Sequence, residues 1–426
     1  MKIAVIGSGI AGNVAAWHLC KQHHITVFEA GEHCGGHTDT HPISLDGQDY
    51  SIDTGFIVYN DWTYPNFIKL LNELGVESKP TEMSFSSRCL VSGIEYNGSS
   101  LNRLFAQRRN LLRPRFHGMI RDILRFNREA GRLLENPDES LSLGDYLESG
   151  QYGSLFVDNY IIPMGAAIWS TDPGQMLKFP ACYFVRFFSN HGLLNIKDRP
   201  QWRVITGGSQ RYVQKLSEPF RDRIRLDEAV VSVTRHPDYV ELRTAQGNTA
   251  RYDHVFIASH SNQALALLSD ASRLEREVLG AIRYQNNDVV LHTDTAQLPA
   301  SRRAWAAWNY LRMSDSHDQR AAVTYNMNIL QGLQAPVTFC VTLNNSDNID
   351  PGKILLRLQY EHPVFTTEAV AAQNRQVEVN GPQRTWFCGA YWGHGFHEDG
   401  VVSALRALQH FREHNENAQL PLSRAS

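Results

Sequence analysis

The chain opens on a β-branched run, Ile3, Ala4, Val5 and Ile6, which reads as a buried parallel strand. It leads straight into Gly7-Ser8-Gly9-Ile10-Ala11-Gly12, after which residues 13–20 have the spacing of a helix. A second apolar run, residues 25–28, ends in Glu29 and completes a strand–turn–helix–strand unit of about 30 residues. Residues 43–50 and 51–54 surround a hairpin-type turn signal, Asp46-Gly47. Residues 64–74 predict a helix stopped by Gly75, and 119–134 and 141–147 are also helical in pattern. Strand-like runs follow at 229–233, 239–243, 249–251, 254–258, 289–292, 337–343 and 354–358. Near the end, residues 385–388 read as a strand running into Gly389, and Glu398-Asp399-Gly400 opens a last helix.

With 426 residues, 42% hydrophobic and 20% charged, the composition is that of a globular protein and excludes a disordered or collagenous chain. A single core stops growing beyond about 250–300 residues, so two lobes are expected. The net charge of −3 gives no reason to expect nucleic acid as a partner. Every apolar stretch is interrupted well before the roughly 18 residues a membrane span needs. The first apolar run meets Gly7, Gly9 and Gly12 too soon for a secretion signal. Six scattered cysteines without a CxxC pair read as reduced, buried thiols, which makes the cytoplasm the default compartment and Asn97-Gly98-Ser99 a chance sequon.

The glycine-rich turn carries the chemistry. Gly7 permits a tight turn, Gly9 lets backbone approach a pyrophosphate, and Gly12 allows close helix–strand packing. The helix start behind them presents free N–H groups and a partial positive charge to phosphates. Glu29, 22 positions after Gly7, is placed to accept hydrogen bonds from ribose hydroxyls, and its charge disfavours a 2′-phosphate. Strand before, helix after and acid at this distance point to a dinucleotide; FAD and NAD share the pattern.

The residues that follow separate the two. Ala30-Gly31-Glu32-His33-Cys34-Gly35-Gly36-His37-Thr38 resembles the FAD-dependent amine oxidase and carotenoid desaturase superfamily, where a GG-Arg-x-x-Ser/Thr element follows the ribose-binding acid. This chain has His37 in place of that arginine, a mostly neutral group for a permanent cation. Asp53-Thr54-Gly55-Phe56 resembles the family's segment along the isoalloxazine face, and Thr206-Gly207-Gly208 its central glycine pair. Val231 stands at the position whose backbone meets the adenine. The resemblance implies noncovalent FAD held by Gly7 to Gly12, Glu29, Ala30, Gly35, Gly36, His37, Thr38, Thr54, Gly55, Phe56, Val231 and Gly389. It further implies that the last helix presents the Val401 and Val402 amides, behind Gly400, to the flavin N1–O2 edge, with Glu398 or Asp399 on the ribityl chain. No metal site is expected: the pairs His33/His37 and His394/His397 lack a surrounding ligand frame.

The implied fold is α/β: a Rossmann-like, three-layer FAD domain from residues 1–60, 204–265 and 380–426, interleaved with an α+β substrate lobe from 61–203 and 266–379. The stretch from Gly389 to Gly400 is similar to a bacterial branch of amine-oxidase-like flavoproteins often encoded beside cyclopropane-fatty-acid synthases. Tyr391, His394, Phe396 and His397 are the candidates to face the flavin. Either histidine is an acid–base candidate, or serves only to hydrogen-bond the cofactor. The leading expectation is an FAD-dependent oxidoreductase that desaturates or oxidises an unsaturated or modified fatty acyl chain, with a lipid or other apolar small molecule as substrate. The alternatives are a flavin amine oxidase, and an FAD-binding protein without turnover that partners a lipid-modifying enzyme.

Residues 101–132 hold nine arginines against Asp122 and Glu129, with apolar residues interleaved. Such a segment either lies on the anionic inner face of a membrane or is a solvated helix with an ordinary buried face.

Overall fold

The computed structural model describes residues 1–138, 140–314 and 322–419. Its first lobe is built on a five-stranded parallel sheet with the order Ile224–Arg225, His24–Phe28, Lys2–Ile6, His254–Ile257 and Thr385–Phe387. Alternation within the strands explains why both faces are covered. Ile3, Val5, Ile25, Val27, Phe256 and Trp386 turn to one core, whereas Ala4, Ile6, Phe28, Val255, Ile257 and Phe387 turn to another. Burying each of the larger of these side chains stabilises the fold by roughly 1.5–3 kcal/mol. The first core is closed by helices Ile10–Leu19, Pro65–Leu74, Gln210–Ser217 and His397–Gln419. The second is closed by the antiparallel meander Val230–Arg235, Val240–Thr244 and Thr249–Tyr252, together with helix Arg273–Gly280. Helices, parallel sheet and antiparallel sheet make the three layers expected from sequence.

The second lobe centres on a seven-stranded mixed sheet, ordered Ile354–Val364, Arg283–His292, Cys340–Leu343, Ala322–Asn326, Trp308–Arg312, Phe85–Cys89 and Ile94–Asn97. Both insertions contribute strands to it, joined where Trp308–Arg312 runs parallel to Phe85–Cys89. Beside it, helices Pro114–Glu129, Leu143–Ser149, Ile162–Trp169 and Ala181–Asn190 pack an aromatic-rich core that includes Phe116, Phe126, Trp169, Phe184 and Phe188.

The structure moves several expected boundaries. The helix read over 119–134 starts earlier, at Pro114, whose missing N–H costs nothing in a first turn, and tightens into a 3-10 turn after Glu129. Helix Pro65–Leu74, expected in the substrate lobe, packs Phe67, Leu70 and Leu71 into the nucleotide core, and Gly75 ends it with φ of 62°. The hairpin Thr40–Leu45/Gln48–Asp53 turns through Asp46 and Gly47, both at positive φ, and buries Tyr50 and Ile52 against the second lobe. Among the described residues, no helix is long and apolar enough to cross a membrane.

Candidate active site

Strand Lys2–Ile6 delivers the chain into the glycine turn, where Gly7 has φ of +95° and a Cβ would stand 2.9 Å from the Ala258 carbonyl oxygen. A Cβ on Gly12 would lie 1.9 Å from the Gly7 oxygen, so helix Ile10–Leu19 packs on the turn only through glycine. Gly9 is the opposite case, with nothing within 4 Å of its Cβ position. The first intrahelical bond at this end runs from Asn13 N to Gly9 O, which leaves the amides of Ile10, Ala11 and Gly12 free of helical partners. An open backbone concavity at a helix start is a phosphate cradle.

Glu29 closes this cradle. Its Oε2 accepts from Ser8 N at 2.9 Å and Ser8 Oγ at 2.5 Å, and its Oε1 from Gly31 N at 2.9 Å. Gly36 brings the second glycine segment against the first, with its Cβ position 3.1 Å from Gly9 Cα. Thr38 Oγ1 leads inward to Tyr212 OH at 2.5 Å and His397 Nε2 at 3.0 Å. Next to Glu29, whose carbonyl accepts from Glu228 N, a bulge drops Val231 out of register with strand Val240–Thr244 and leaves it 43% exposed. Its backbone is therefore available where the resemblance implies an adenine. Ala30, beside Glu29, is exposed as well.

The arginine replaced by His37 has no substitute cation in that side chain. Its ring turns to the other lobe, 5.1 Å from Tyr360, 5.5 Å from His362 and 6.0 Å from His260 between centroids. Burial, with the neighbouring His260, lowers the His37 pKa to about 4. His37 meets the segment Asp53-Thr54-Gly55-Phe56 through backbone instead: its carbonyl accepts from Phe56 N at 2.7 Å, and a Cβ on Gly55 would lie 2.1 Å from that oxygen. Thr54 Oγ1 sits 2.6 Å from Tyr360 OH, and Tyr360 donates to Asp39 Oδ2 at 2.9 Å. Asp53 accepts from Thr40 Oγ1, Ser209 N, Ser209 Oγ and Gln331 Nε2, while burial raises its pKa to about 6.

The His37 cluster predicts a pH effect. Burial lowers His362 to about 3, so below the ordinary histidine value of about 6.5 the unfolded chain takes up protons that the folded chain refuses. The stability held by neutral His37 and His362 is present above that value and is lost progressively as pH falls toward about 4 and about 3. Asp53 at about 6 and Asp399 at about 7 act in the opposite direction, but equally in any variant that keeps them. Denaturant midpoints measured between about pH 7 and about pH 4.5 should therefore fall less steeply for His362→Phe than for the native chain. Parallel curves would contradict the assignment.

The terminal helix corrects two expectations. It begins at His397, and Gly400 N already donates to Phe396 O at 3.1 Å. The Val401 and Val402 amides therefore lie in the helical ladder, and the free first-turn amides are those of His397, Glu398 and Asp399. Both carboxylates are engaged in capping. Glu398 accepts from Asn66 N and Nδ2 and from Phe67 N, closing the start of helix Pro65–Leu74. Asp399 accepts from Phe396 N at 2.9 Å, a reciprocal cap of its own helix, and burial pushes its pKa up to about 7. A Cβ on Gly400 would stand 2.6 Å from Ile10 Cγ2, so this glycine sets the two helix starts side by side. Gly389 N donates to Ser403 Oγ at 2.9 Å, tying strand Thr385–Phe387 to the same helix.

The four candidate catalytic side chains do not converge. Tyr391 packs into the core between the parallel sheet and the meander, away from the other three, because the turn Ala390–Trp392 points it back under the sheet. His397 stacks on Phe56, centroids 3.5 Å apart at 12°, and burial holds it neutral. His394 and Phe396 face the second lobe. The His394 ring lies 4.3 Å from Tyr183 and 5.4 Å from Phe187, while Phe396 stacks on Phe187 at 5.3 Å. Burial lowers His394 to about 3, so this wall is aromatic and uncharged. Tyr183 OH donates to Gly393 O at 3.0 Å and joins the lobes there. Tyr183, Phe187 and Tyr360 are inter-lobe contact residues that the sequence reading did not single out. The aromatic spacing of 183, 184, 187 and 188 signals a helix but not which face meets the site.

This donor set fits a dinucleotide: an open glycine cradle, two adjacent helix starts and a carboxylate held at the turn. A family model for flavin-containing amine oxidoreductases matches residues 10–305. A Mycobacterium tuberculosis protein named as a flavin-containing monoamine oxidase, AofH, is 28% identical over 256 residues, 58% of this chain and 54% of that protein. The chain thus spans about half the length of the curated relatives it matches. Among solved structures, cyclohexylamine oxidase from Brevibacterium oxydans is similar with a TM-score of 0.69 at 15% identity, covering 97% of this chain and 99% of that one. The CLA-producing fatty acid isomerase from P. acnes gives a TM-score of 0.69 at 15% identity, covering 96% and 98%. These structural likenesses speak to the fold. With the family model spanning more than two thirds of the chain and the cradle in place for FAD, the protein belongs to the flavin-containing amine oxidoreductase family.

Proposed function

We propose that the protein desaturates or oxidises an apolar, unsaturated or modified fatty acyl chain, using noncovalently held FAD. The observation that carries this reading is the wall formed by His394, Phe396, Tyr183 and Phe187, which is aromatic and presents no charged group. Such a wall excludes water from a C–H bond and offers dispersion contacts to an unsaturated chain. The bound flavin supplies a two-electron acceptor. The protein's part is to orient the chain and keep His394 neutral. Neither His394 nor His397 is poised near neutral pH to take a proton, since burial holds both well below the ordinary histidine range, which favours a cofactor-holding role over acid–base work. Cys388 is buried with its pKa pushed up to about 12, a poor nucleophile for a covalent flavin link.

A second reading, oxidation of an amine, draws on the name of the Mycobacterium tuberculosis relative. An amine is typically met by a cage of paired aromatic rings, and Tyr391 packs in the core of the nucleotide lobe, apart from Phe396. Anaerobic absorbance titration of the yellow protein separates the readings. Bleaching by unsaturated fatty acids, with no response to cyclohexylamine or putrescine, is the expected result. Bleaching by amines with peroxide released on admission of air would overturn the acyl reading. Acid precipitation of the same sample should leave a colourless pellet.

A further inference from the structure

We propose that the face formed by the hairpin tip at residues 90–93 and the arginine-rich segment at 101–132 docks onto an anionic lipid bilayer. An ordinary amphipathic helix hides its apolar side and shows its charge. Here Phe116, Met119 and Phe126 fill the core, yet apolar side chains stand outside as well. Leu112 is 88% exposed and Leu101 76%, and Leu111, Leu124, Leu90 and Val91 are each close to half exposed. These are six of the thirteen large apolar side chains that the described residues leave exposed. Arg109 Nη2 donates to the Gly93 carbonyl at 2.7 Å, which sets the hairpin tip beside the turn Arg108–Leu112 and makes the patch continuous.

Charge decides what covers such a patch. Both acids of the segment are already engaged: Asp122 pairs with Arg125 at 3.4 Å and Glu129 with Arg128 at 2.7 Å. Arg103 pairs with Glu82 at 2.7 Å. Arg108, Arg109, Arg115 and Arg121 are exposed and have no acidic partner among the described residues. Exposed leucines among guanidinium groups that lack an acidic partner match a surface with anionic headgroups outside and hydrocarbon a few ångströms deeper. A water-facing helix has no use for Leu111 and Leu112 together, and a polar acidic partner leaves them unburied. The inference does not rest on the substrate proposed above, since it concerns a face on the outer side of the helical layer.

The test uses the full FAD-loaded chain in vesicle flotation. The protein should float with mixed phosphatidylglycerol–phosphatidylcholine vesicles, stay behind with phosphatidylcholine alone, and come off in about 1 M salt, where screening is nearly complete. Replacing Arg115→Gln and Arg121→Gln should lower partition about fivefold for each charge removed, and Leu111→Asp with Leu112→Asp should abolish it. All four positions lie outside the flavin site, so an unchanged yellow colour reports that the variants are folded. Equal flotation with the zwitterionic vesicles, or variants that float like the native chain, would overturn the proposal. Absence of flotation with the anionic vesicles would also overturn it and leave the face to a protein partner.

Discussion

Glu29→Ala should purify almost colourless. The Glu29 carboxylate is held at the glycine turn by Ser8 N, Ser8 Oγ and Gly31 N, three donors that fix where its charge sits before any ligand arrives. In a dinucleotide site, an acid after the second strand bonds the ribose hydroxyls. Hydrogen bonds to a charged group contribute about 1.5–3 kcal/mol each. Losing two weakens FAD by about 3 kcal/mol or more, roughly two orders of magnitude in affinity. Glu29→Gln keeps the acceptor but not the charge and should fall between. Flavin absorbance per mole of purified protein, with calorimetric titration of FAD, reads the effect. An unchanged yellow colour in Glu29→Ala would remove Glu29 from the site. A general loss of folding shows up separately, as a low melting temperature even in excess FAD.

The place of Glu29 at the glycine turn was legible because it depends on local sequence: strand, turn, helix and acid all lie within one short unit. The same holds for Gly7 and Gly12, whose places follow from backbone geometry that only glycine permits. The parallel sheet was legible from alternation within each strand. What failed depended on direction instead of position. Tyr391 lies three residues from His394 in sequence, yet a single 3-10 turn sends the two rings into different cores. Glu398 and Asp399 sit at the expected place, but two helix starts nearby claim their oxygens first. Val401 and Val402 shifted because the helix starts four residues before Val401, where Asp399 can cap it. Tyr183 and Phe187 come from an insertion whose helical pattern shows an apolar face without showing its neighbour.

The second large effect is expected at Gly55, where the two lobes and the flavin segment meet. The His37 carbonyl accepts from Phe56 N at 2.7 Å, and this bond draws two backbones together with no room for a side chain. A methyl group on Gly55 would stand 2.1 Å from the His37 oxygen, and backbone on both sides leaves no flexible atom to yield. Gly55→Ala must therefore break that bond or displace Thr54 and Phe56. Thr54 is tied through Tyr360 to the long strand of the second lobe, and Phe56 is stacked on His397 at the start of the terminal helix. Overpacking of this kind costs about 1–3 kcal/mol, and a stranded buried amide adds about 1–3 kcal/mol. The expected result is a melting temperature lower by several degrees together with weakened FAD binding, since the segment displaced is the one assigned to the flavin ring. Gly98→Ala serves as the control, because nothing lies within 4 Å of its Cβ position. If Gly55→Ala melts and binds FAD like Gly98→Ala, the close approach of residues 37 and 55 does not position the flavin segment, and the assignment of Thr54, Gly55 and Phe56 to the cofactor falls.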